Sequence, residues 1–112
     1  MFSSNNNGSN AEGDSSQSIK GYKVINDTDA RIIGDFLDNG TTLNGYPVYT
    51  FNTYSLECNN NPGGNVIPAW RVADSNGYVI YFGQGLTPDT VSWYVMPMSD
   101  YSLTVPKFET IY

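Results

Sequence analysis

Short runs of apolar and β-branched residues, each closed by a polar turn, follow one another along most of this chain. Lys20 to Ile25 is the first run, ending in the turn Asn26-Asp27-Thr28-Asp29. Ala30 to Leu37, interrupted by Gly34, is the second, and Asp38-Asn39-Gly40 closes it. Asn44-Gly45 predicts a tight hairpin, because both central residues of a type I′ turn need positive φ. Tyr46 to Cys58 reads as one long strand or two. Val48, Tyr54, Leu56 and Cys58 share one parity while Tyr49 and Phe51 share the other, so a bulge or break is expected near Asn52. Pro47 cannot donate to a ladder and belongs at an edge or a strand start.

Asn59 to Gly64 is the clearest loop. Val66 to Ala73 resumes extended structure, with Trp70 and Val72 on one face and Arg71 opposite. Asp74-Ser75-Asn76-Gly77 turns the chain into Tyr78 to Phe82, an apolar run too short for a helix and suited to a central strand. Gly83-Gln84-Gly85 and Thr87-Pro88-Asp89 read as a second loop, after which Val91, Trp93 and Val95 alternate with Ser92 and Tyr94. Two further β-prone segments flank Pro106 between Tyr101 and Tyr112. No stretch carries a convincing helical apolar period. The pattern predicts an all-β domain over residues 20–112, a small antiparallel β-sandwich or barrel of about 7–8 short strands.

Residues 1–19 read differently. Ser, Asn and Gly dominate Met1 to Ser18, and its only large apolar side chains are Met1 and Phe2. Such a segment cannot bury enough surface to offset its ordering entropy, so an extended N-terminal arm is expected, flexible unless a partner orders it, with Phe2 as a candidate anchor. It lacks the basic and apolar regions of a secretory signal.

Composition agrees with the pattern. Val, Ile, Thr, Tyr, Phe and Trp total 40 residues, against 22 for the helix formers Ala, Leu, Glu, Lys, Gln, Arg and Met. Asn and Gly add 24, which suits many tight turns. Five Lys and Arg stand against eleven Asp and Glu, a net charge of −6 that makes nucleic acid an unexpected partner. No apolar run is long enough to span a bilayer as a helix. With no histidine and one cysteine, histidine-based triads, internal disulfides and Cys-rich zinc sites are excluded.

The remaining motifs favour structural roles. Asp74-x-Asn76-Gly77 begins like a calcium loop but lacks the closing Glu, and an Asx turn accounts for the same residues. Gly83-Gln84-Gly85 lacks the spacing, the Lys and the following helix of a phosphate loop. Asp35, Asp38, Glu57, Asp74, Asp89, Asp100 and Glu109 could in principle supply a glycosidase-like pair, but most adjoin turn residues where capping is the expected role. Cys58 has no histidine to activate it and reads as a half-buried structural thiol. The chain is therefore expected to be non-enzymatic, with no cofactor and no metal.

The aromatics carry more information. Trp70 and Trp93 are expected to plug the core. Tyr46, Tyr49, Tyr78, Tyr81 and Tyr94 cannot all point inward, since their alternate neighbours are also apolar. Tyr offers a flat apolar face with a polar tip, which suits subunit contacts and sugar rings alike. Phe2, Tyr46, Tyr49, Asn52, Tyr78, Tyr81 and Tyr94 are the candidate interface or glycan contacts, with Tyr46, Tyr49 and Asn52 first for a sugar.

Asn44-Gly45-Tyr46-Pro47-Val48-Tyr49, Tyr54-x-Leu56, Trp70-Arg71-Val72-x-Asp74, Gly77-Tyr78-x-Ile80-Tyr81, Thr87-Pro88 and Trp93 together resemble small all-β modules of bacteriophage virion proteins and bacterial surface proteins. The resemblance runs from Arg31 to Val95. The longer Asn/Pro/Gly loop before Trp70 departs from it, so no binding residue is carried over. The resemblance implies display on a particle or cell surface without enzymatic activity. A β-rich chain without an export signal fits a virion component, because virions leave by lysis. The expectation is a virion structural protein, such as a capsid decoration, fibre-base or tail accessory subunit. Its expected partners are other virion proteins, in a symmetric oligomer or many copies. A carbohydrate-binding adhesion module at the bacterial cell surface is the alternative.

Overall fold

A computed structural model describes residues 18–60, 67–96 and 104–112 of the chain. Of the two all-β architectures expected, the chain adopts the barrel-like one, eight antiparallel strands in a single curled sheet. The strands are β1 (Gly21–Val24), β2 (Asp35–Leu43), β3 (Tyr46–Phe51), β4 (Tyr54–Asn60), β5 (Ala69–Ala73), β6 (Val79–Gln84), β7 (Ser92–Val95) and β8 (Phe108–Ile111). Their order is β7-β6-β5-β4-β3-β2-β1-β8, so seven strands form an up-and-down meander and the last returns to pair with the first. The curl is visible in the side chains. Trp93 of β7 and Phe108 of β8 belong to opposite edges, yet their ring centroids lie 5.5 Å apart. The described residues contain two short 3₁₀ turns, Ala30–Ile32 and Pro88–Thr90, and no α-helix.

The tight turns follow their residues. Asn44 and Gly45 take φ of 53° and 86°, as the β2–β3 hairpin needs. The parity change near Asn52 is a break rather than a bulge. A two-residue turn, with Asn52 at φ 53°, reverses the chain and pairs Phe51 with Tyr54. Tyr49 and Leu56 then fall opposite each other on the same face despite their opposite parity. Pro47 is the second residue of β3, near its start as expected. Asp74 Oδ1 accepts from the amides of Asn76 and Tyr78, both at 2.9 Å, and Gly77 has φ 82°, so this segment is an Asx-capped turn.

Several expectations need correction, among them the loop at Asn59 to Gly64, whose first two residues end β4. Ala30 to Leu37 is not one strand, because Asp29 accepts from the Arg31 amide and guanidinium and winds Ala30–Ile32 into a 3₁₀ turn. Asp38-Asn39-Gly40 does not end β2. The side chains of Asp38 and Asn39 accept from the amides two residues on, and the register against β3 shifts between Asp38 and Thr42, so the strand continues to Leu43 with an irregularity. Gly83 and Gln84 are not loop but the end of β6. A Cβ on Gly83 would lie 2.3 Å from the Ser92 carbonyl oxygen, so the missing side chain is what lets β7 pair there.

The concave face is the core. Tyr22, Phe36, Leu56, Trp70, Val72 and Tyr81 are almost wholly buried, and Ile32 plugs it from the 3₁₀ turn. Trp70 and Val72 point inward and Arg71 outward, as the alternation predicted. Trp93 is half-buried against the core. Cys58 is fully buried rather than half-buried, and burial pushes its thiol pKa up. On the convex face, Arg71 pairs with Glu57 through two donors and reaches Asn59 at 2.9 Å.

Three side chains hold the segment that returns as β8. Asn26 donates to the Val105 carbonyl at 3.0 Å and accepts from the Lys107 amide at 2.8 Å. Tyr81 donates to the Thr104 carbonyl at 3.1 Å, and the Thr28 hydroxyl donates to the same oxygen. The turn Asn26-Asp27-Thr28-Asp29 thus serves as the seat for the returning chain.

Candidate functional site

Two concavities are built by this sheet. The first lies where β1 begins. Tyr22, Tyr49 and Trp70 form its floor, and Ile19, Tyr46 and Leu86 stand at its rim, around a volume of about 420 Å³. The floor is rigid. Tyr22 and Tyr49 meet edge to face at 5.0 Å, Tyr46 and Trp70 at 5.4 Å, and the Trp70 indole N–H donates to the Gly85 carbonyl at 3.1 Å. Burial pushes the Tyr22 phenol up, with Tyr49 and then Asp89 adding to it, and burial followed by Asp38 does the same for Tyr49. Floor residues this buried offer only edges to a visitor. The accessible contacts are the rim, where Leu86 is 66% exposed and Ile19 37%.

The second concavity is a trough on the convex face. The register sets Thr50, Ser55 and Ala73 side by side on β3, β4 and β5, three small side chains forming a floor. The irregular end of β2 and the turns at Asn52-Thr53 and Asp74–Gly77 stand around it, enclosing about 490 Å³. Tyr54 is half-buried at one side, and the Arg31 guanidinium carbon lies 6.0 Å from its ring centroid.

The candidate contact residues do not form one site. Tyr46 and Tyr49 border the first concavity, with Tyr49 only 5% exposed, while Asn52 borders the second. Tyr81 is buried, its hydroxyl committed to Thr104, so it presents no face to a partner. Tyr78 and Tyr94 are exposed, Tyr94 in contact with Phe82 on the convex face. Phe2 lies outside the described residues.

Each described carboxylate for which a partner is seen has a structural one. Asp29 is buried and held by Arg31, whose hydrogen bonds keep its carboxyl below the usual range against the opposing effect of burial. Glu57 is held by Arg71, Asp74 caps its own turn, and Asp89 accepts from Thr87 at 2.5 Å. Asp100 lies outside the described residues. Among the described residues no group of three or more carboxylate, cysteine or histidine side chains could hold a metal ion.

Ile19, Leu86, Thr50 and Ser55 are the functional candidates that sequence reasoning missed. Thr50 and Ser55 sit next to Tyr49 and Leu56, whose inward alternation was the available signal that their neighbours face out. The chain matches no protein-family model, no curated protein and no solved structure.

Proposed function

We propose that this protein is a non-enzymatic virion structural protein, a capsid decoration, fibre-base or tail accessory subunit, that attaches through its N-terminal arm and an apolar mouth. One observation carries the reading. Ser18 and Ile19, where the arm joins the domain, line the same concavity as Tyr46, Pro47 and Leu86. A partner strand engaging the arm at that junction would meet the mouth as well. Fully burying a side chain such as Leu86 contributes about 1.5–3 kcal/mol. Display in many copies multiplies weak contacts through high effective concentration. The net charge of −6 then serves solubility of a displayed surface.

Particle attachment tests the reading. Deleting Met1 to Ser18 is expected to abolish attachment while the remaining domain still melts cooperatively. Leu86→Ser is expected to lower occupancy about tenfold or more at unchanged melting temperature. A truncated protein that decorates particles at wild-type occupancy overturns the role of the arm.

A further inference from the structure

The geometry points to a second binding site, the trough over Thr50, Ser55 and Ala73, with a neutral saccharide as its ligand. This goes beyond the association reading and does not rest on it, since the trough and the mouth share no lining residue.

Three features select that ligand class. The first is hydrogen-bonding capacity. Thr42, Thr50, Asn52, Thr53 and Ser55 all line the trough, and among the described residues none of their side chains makes a hydrogen bond within the protein. Five uncommitted hydroxyl and amide groups around one depression match the alternating donors and acceptors of a polyol. The second is the apolar component. Leu43, half-buried at the trough, supplies aliphatic surface for the C–H groups of a sugar ring.

The third feature is charge. The two carboxylates at the trough are already engaged, Glu57 with Arg71 and Asp74 with the amides of its turn. No Lys or Arg lines the trough. An anionic sugar would face the Asp74 carboxylate with no Lys or Arg in the lining to offset it, and a cation would have to compete for carboxylates that are in use. A neutral saccharide meets neither penalty. The backbone supports the site, because Thr50 and Ser55 are paired strand residues and not loop residues.

An array of neutral and acidic glycans, probed with the full chain, tests the proposal, followed by titration of the strongest hit with detection by amide chemical shifts. Binding of neutral glycans is expected at millimolar affinity or better, with perturbed amides clustered at Thr50, Ser55 and Asp74. Thr50→Val keeps shape and removes one hydroxyl, and together with Ser55→Ala it is expected to weaken binding about tenfold. Leu86→Ser, which alters the mouth alone, leaves it unchanged. An array without a neutral hit at millimolar sensitivity overturns the site, as does a hit whose affinity the Thr50→Val/Ser55→Ala pair leaves intact at wild-type melting temperature. Loss of glycan binding with particle attachment retained, or the reverse, separates this proposal from the association reading.

Discussion

Asp29 is the residue on which most local interactions converge. Its carboxylate caps the 3₁₀ turn that delivers Ile32 to the core and binds the Arg31 guanidinium at 2.5 Å. The carboxyl is held below the ordinary value near 3.8, so the pair contributes stability that is fully present above that pH and is lost as pH falls through the lower folded value. Asp29→Asn can still cap the turn but does not titrate. In urea denaturation the wild-type midpoint is therefore expected to fall more steeply than that of Asp29→Asn as pH drops below about 4. Gly83 makes the opposite case, a residue whose function is to be absent. Gly83→Ala is expected to cost about 1–3 kcal/mol or more, because a carbonyl oxygen on β7 occupies the position of the new carbon. Accelerated amide exchange confined to Ser92–Val95 would show that the cost is taken by the edge strand.

At the level of elements, local chemistry and distant pairing contribute separately. The hairpin at Asn44-Gly45 and the turn at Asp74–Gly77 are dictated by residues within each turn, through positive φ and a side-chain cap. Both were readable in the sequence for that reason. The extension of β2 beyond Gly40 was not, since its Asx-type caps look like a terminating turn until β3 pairs with the strand. The seat of β8 lies further still from local pattern. Asn26 and Val105 are 79 positions apart, and no periodicity links them. Asn26→Ala removes partners from the Val105 carbonyl and the Lys107 amide, and is expected to cost about 1–3 kcal/mol by chemical denaturation. Lost protection should concentrate on Phe108–Ile111, with the meander β2–β6 retaining its own.

The whole molecule closes a thin core by curling one sheet and bringing its edges together through Trp93 and Phe108. Phenols are part of that core. Burial raises the pKa of Tyr22, Tyr49 and Tyr81 above the ordinary value of 10.0. A raised folded value means stability that is complete below the unfolded value and lost as pH rises through the folded one. Alkaline unfolding is thus expected to set in above pH 10, with phenolate absorbance rising in a cooperative step as these tyrosines become exposed. Tyr22→Phe, at a position that is 1% exposed, is expected to shift that step to higher pH, and an unchanged step would count against Tyr22 as a contributor.

The sequence by itself determined the class of the fold, the tight turns and the inward direction of Trp70 and Val72, because alternation, β-branched composition and turn chemistry act over a few residues. It also marked the tyrosines as too many to point inward together. Only the tertiary structure decided which ones turn in, placing Tyr22, Tyr49 and Tyr81 inside while Tyr78 and Tyr94 stay exposed. Strand order, the return of β8 and the separation of Tyr46 from Asn52 into different concavities were decided there as well. Each depends on which strand lies beside which, and that is fixed by register and packing between residues far apart in the chain.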